Sequence, residues 1–187
     1  MNQAFNRLFW GYLFVLFEIH IIVIDILADP VGYYLIFSGI TMLLKDFPIA
    51  HKARKLSFAL IFLSIPSIFI QQNVETNQLQ PLSFLSGWSL YTTVLDLLNI
   101  ILVFYLFQLI MAIVHQHADD GLIRRSSKTF SLYLIVKLIA TIASPFAMNL
   151  SGDELLWIVL VTIFVSFIME IAFLVLLWSF RKVRWKS

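Results

Sequence analysis

Between residues 8 and 180 the chain alternates long apolar runs with short polar connectors, at about 8–27, 31–44, 56–70, 88–114, 129–148 and 155–180. A bilayer's hydrocarbon core takes roughly 20 apolar residues per helical crossing, so the pattern predicts an all-α, polytopic membrane protein of six helices in one bundle. The prolines punctuate it. Pro30, after Asp29, ends the first helix and lets the second begin at once. Pro66 kinks the third, where Ser64 and Ser67 stand ready to satisfy the freed carbonyls, and Pro145 kinks the fifth. The second run is short, so a re-entrant hairpin is the alternative for the first pair; both versions return to the same side. Gly32 and Gly39, seven apart beside Ser38 and Thr41, put small residues on one face of the second helix and predict close helix contact.

The connectors set the orientation. Residues 45–55, KDFPIAHKARK, hold four basic residues against one acid; residues 115–128, HQHADDGLIRRSSK, hold three basic residues; the tail RKVRWKS holds four. Residues 71–87 and the acidic NLSGDE have no Lys or Arg. Of the 13 Lys and Arg, 12 therefore fall on one side, Lys137 is intramembrane and none is outside. This predicts cytoplasmic N- and C-termini in a multi-pass protein of a bacterial-type cell membrane. Trp10, Trp88, Trp157, Trp178 and Trp185 fall at predicted helix ends, where indole rings partition to the interface. Arg7 before an apolar run and Ala28 near its end imitate a signal peptide, but Glu18 and Asp25 interrupt the apolar region.

Composition sharpens the class. Hydrophobic residues at 60%, charged residues at 13% and a mean hydropathy of +0.91 lie outside the soluble range. With no cysteine, disulfides, thiolate catalysis, iron–sulfur clusters and zinc–thiolate sites are excluded.

The candidate chemistry is the polar residues within apolar runs. Each lipid-facing charge would cost roughly 3 kcal/mol by insertion scales, so these residues should face the bundle interior. Gly11, Glu18 and Asp25 share one face of the first helix, and Thr92, Asp96 and Asn99 one face of the fourth. Tyr133, Lys137, Thr141 and Ser144 line the fifth; Thr162, Ser166 and Glu170 drift along the sixth. Glu18, Lys137 and Glu170 fall near mid-depth, with Asp96 and Asp25 further out. Glu18, Asp25, Asp96, Asn99, Lys137 and Glu170 are thus candidates either for binding a polar solute or ion in a water-filled cavity, or for a buried ion-pair network that holds the bundle together. Four acids against a single lysine favour the first, because such acids carry a proton or meet water.

Other motifs carry less. His115, His117, Asp119 and Asp120 have metal-ligand residue types, but histidines two apart diverge on a helix, so a solvated helix end is expected and no metal. His20, opposite Glu18 and Asp25, reads as a hydrogen-bonded core residue. No nucleophile elbow, phosphate-binding glycine loop or HExxH helix is present, so neither an enzyme nor a cofactor is expected. In size, six-helix topology and inside termini the chain resembles the substrate-binding membrane subunits of bacterial energy-coupling-factor vitamin transporters, without a shared motif. It departs from them at Phe14, Val15, Phe17 and Ile19, bulky where those subunits dock through small residues on the first helix. The expected function is binding or transport of a small solute or ion; the alternative is an immunity, regulatory or assembly factor that binds another membrane protein. Beyond the lipid bilayer, no nucleic-acid partner is expected.

Overall fold

The computed structural model describes residues 1–18, 28–70, 87–117, 120–147 and 152–183. Among them the chain is all helical: α1 Asn2–Glu18, α2 Ala28–Leu43, α3 Ala50–Leu63, α4 Ile65–Ile70, α5 Gly87–His117, α6 Asp120–Ala147 and α7 Gly152–Arg181. The α3 and α4 segments are one rod broken at Ser64, two residues ahead of Pro66, where the kink is expected. Ser64 Oγ donates to Ile61 O at 3.2 Å and Ser67 Oγ to Ser64 O at 2.6 Å, so both serines satisfy carbonyls at the break. The chain forms two compact units, Met1–Leu109 and Ile110–Ser187.

The first unit is built on the α1–α2 hairpin. Buried positions Ala4, Phe5, Leu8, Tyr12, Val15 and Leu16 recur at helical spacing on α1, and Tyr33, Ile36, Ile40 and Leu43 do so on α2. Between these stripes the two backbones nearly touch. A Cβ on Gly11 would lie 2.6 Å from Gly32 O and 2.8 Å from Ile36 N; one on Gly39 would lie 2.9 Å from Ala4 O. No described residue has a positive φ, so these glycines serve by lacking a side chain. Arg7 donates from Nη1 to Ser38 Oγ across the same seam. The turn into α3 is closed by Phe47 N–H to Leu43 O and Ala50 N–H to Phe47 O, both 3.0 Å. The α3 helix then packs on α2 through the small residues Ala50, Ala53 and Ser57 and the Phe37–Phe58 ring contact, centroids 5.6 Å apart.

In the second unit α6 packs on α7. Glu170, Phe173, Leu174, Leu177 and Phe180 form the buried stripe of α7. Its earlier half is different. Leu160, Val161, Ile163, Phe164 and Val165 are all exposed, so apolar side chains face outward around most of the helix. At the other end the Arg181 guanidinium and Lys182 ammonium lie 4.4 and 5.3 Å from the centroid of the exposed Trp178 ring.

Several boundaries differ from the sequence expectation, and the helix starts do so in one direction. The α1, α3 and α6 helices begin at Asn2, Ala50 and Asp120 rather than near residues 8, 56 and 129. Hydropathy marks where an apolar environment can begin, whereas the hydrogen-bonded ladder continues through Arg, Lys, Gln and Ala, all good helix formers. Trp10 accordingly lies inside α1, not at its end. The end of the first helix lies outside the described residues, and Pro30 stands near the start of α2. In the first turn its missing N–H has no intrahelical acceptor to lose, and Asp29 beside it complements the helix dipole. Among the described residues two helices, Thr93–Gln116 within α5 and Leu160–Arg181 within α7, are long and apolar enough to cross a membrane by length and composition. By contrast α2 and α3, with 16 and 14 residues, reach only about 24 and 21 Å against a core of about 30 Å.

Candidate functional site

Two polar residues a turn apart on α6, Tyr133 and Lys137, face one acid on α7, Glu170. The helix spacing places both α6 side chains on the same side, and the hairpin with α7 supplies the partner. Lys137 Nζ forms an ion pair with Glu170 Oε1, and Tyr133 OH donates to the same oxygen at 3.0 Å. Tyr133 and Glu170 are 1% and 4% exposed, while the Lys137 side chain retains 17%. The ammonium also lies 5.8 Å from the Tyr133 ring centroid, and that ring meets the buried Phe173 ring at 5.9 Å and 53°. A carboxylate, an ammonium and a phenol hydroxyl thus converge on one point in an apolar hairpin. Glu170 lies about 16 Å along α7 from Arg181.

Such a cluster is poised between two uses. A buried carboxylate without a cation would carry a large desolvation penalty, and here both a cation and a neutral donor share one oxygen. Opened, the same three groups offer an anion site, a cation site and a proton donor in one place. The arrangement can therefore hold two helices in register, or exchange its internal pairing for a polar ligand or proton.

Of the six candidates, the structure brings Lys137 and Glu170 together. Asp96 and Asn99 lie on α5 in the first unit; Asp96 is exposed, and the buried Asn99 Oδ1 has no hydrogen-bond partner among the described residues. Glu18 is the last described residue of α1, with its side chain outside the described residues, and Asp25 and His20 also lie outside them. His115 and Asp120 are exposed at successive helix ends, whereas Asp119 lies outside the described residues. Tyr133 lies on the predicted stripe of α6 without being among the six candidates. Its position one turn before Lys137 is the signal that identifies it. No protein-family model, curated protein or solved structure matches the chain.

Proposed function

We propose that this is a six-crossing membrane protein with both termini cytoplasmic, which binds or moves a small polar solute or ion through a cavity centred on Lys137 and Glu170. The carrying observation is the Lys137–Glu170 pair, half-buried at the lysine and buried at the carboxylate, with Tyr133 on the same oxygen, set between helices that present apolar side chains outward. The exposed residues of α7 support the bilayer as solvent, because water would be a costly neighbour for so much contiguous apolar surface. Trp178 under two cations fits a helix end at the headgroup level. An ion pair is an expensive way to join two helices when apolar residues of similar volume serve as well, which favours a working role.

Native mass spectrometry of the full chain, purified in mild detergent, tests this. A non-lipid small molecule bound to wild type and absent from Glu170→Gln is expected. A stoichiometric protein partner with no such molecule would instead establish the alternative of a regulatory or immunity factor.

The orientation is tested by single cysteines, since the chain has none of its own. In intact cells Asn77→Cys is expected to react with an impermeant maleimide. His51→Cys and Gln116→Cys, at exposed positions of α3 and α5, are expected to react only after lysis. The reverse pattern would invert the topology, and reaction at all three would change the number of crossings between them.

A further inference from the structure

On α6 one helical face changes character along its length. Asp120, Arg124, Ser127, Lys128, Ser131 and Ile135 border one open, shallow stretch of surface; among the described residues all of it comes from this helix. Two cationic side chains and two hydroxyls occupy the first half, with Asp120 the one acid. Beyond Ser131 the same face is apolar, and Leu132, Ile135, Leu138 and Ile139 are all exposed. Lys137 points the other way, into its pair with Glu170.

We propose that this face binds a single anionic phospholipid, with the phosphate on Arg124, Ser127, Lys128 and Ser131 and an acyl chain along Leu132, Ile135 and Ile139. Three features select this occupant. The Arg124 fork and the ammonium of Lys128 match phosphate oxygens, and two serine hydroxyls add neutral donors about one helical turn apart. Arg124 to Ile139 spans about 22 Å, enough for a headgroup followed by most of one leaflet's acyl depth of about 15 Å. A free anion would use only the polar half and leave the exposed apolar half unexplained, whereas a nucleic acid would require the positive charge to continue. The proposal rests on the membrane reading, because the polar-to-apolar change on α6 then coincides with the interface.

The test compares phosphatidylglycerol with phosphatidylcholine of identical acyl chains, titrated onto the delipidated full chain in detergent and read by native mass spectrometry. Wild type is expected to prefer phosphatidylglycerol. Attraction of a basic residue near the surface corresponds to roughly fivefold in affinity, so Arg124→Gln with Lys128→Gln is expected to reduce the preference about 20- to 30-fold. Lys52→Gln with Lys55→Gln, exposed cations on α3, is expected to leave it unchanged. Equal binding of both lipids by wild type, or equal loss from the α3 control, would overturn the site while leaving the membrane reading intact. Displacement by inorganic phosphate at the concentration that displaces free lipid would overturn the lipid in favour of a soluble anion. A chain that is monodisperse without detergent and binds neither lipid would overturn the membrane reading itself.

Discussion

Gly11→Ala is expected to destabilise the protein by about 1–3 kcal/mol, although it adds a single methyl group. The new carbon would meet Gly32 O at 2.6 Å and Ile36 N at 2.8 Å. Both are backbone atoms, so no rotamer change relieves the overlap and α2 must retreat. Retreat then loosens the buried contacts of Tyr12, Val15, Ile36 and Ile40 on either side. Gly32→Ala should act similarly, because its Cβ would lie 2.8 Å from Gly11 O, with Val15 Cγ2 at 2.7 Å. The two substitutions should be markedly non-additive: once the helices separate, the second methyl enters space already opened. Thermal unfolding in detergent, followed by tryptophan fluorescence, measures both single variants and the double. Gly121→Ala, exposed near the start of α6, provides a control expected to be neutral or slightly stabilising. If Gly11→Ala unfolds with the control and wild type, the close approach of α1 and α2 is wrong.

That seam shows how far the pattern of residues reaches. Gly32 and Gly39 are legible as a packing face because their spacing of seven places both on one side of a helix. Gly11 shares the heptad spacing of Glu18 and Asp25, and the pattern groups it with them. In the folded chain Gly11 lies in the seam, opposite Gly32, while the Glu18 side chain and Asp25 lie outside the described residues. Arg7 counts in the sequence as a cytoplasmic charge, and nothing in its local surroundings announces a bond to Ser38 on the next helix. Helix starts are misplaced wherever basic residues precede an apolar run, as at Lys52–Lys55 and Arg124–Lys128, because hydropathy and helix propensity report different properties there. On α6 and α7 the stripe is legible while the partner is not: Lys137 has several acids to choose from. The short NLSGDE connector contains the missing information, since a brief link makes consecutive helices antiparallel neighbours and so favours Glu170 over an acid on a distant helix.

The largest effect is expected at that pair. Lys137→Met leaves Glu170 buried with Tyr133 as its remaining donor in the cluster, and should destabilise the protein by roughly 3–5 kcal/mol, seen as lost folded yield and a lower melting temperature. Lys137→Met with Glu170→Gln should recover most of the loss. The double variant has no uncompensated charge, and the amide oxygen of the substituted side chain can still accept from Tyr133 OH. Lys137→Met with Glu18→Gln should not recover it, because the carboxylate that Lys137 neutralises is still present. This comparison assigns the partner by energy as well as by geometry. It also decides the role of the cluster. A rescued double variant that retains the small molecule bound by wild type would make the pair a structural clamp, and the transport reading would lose its support. A rescued variant that folds and has lost the molecule places the two charges in the working site. If Lys137→Met alone is as stable as wild type, the ammonium is not buried against Glu170, and the α6–α7 packing described above is wrong.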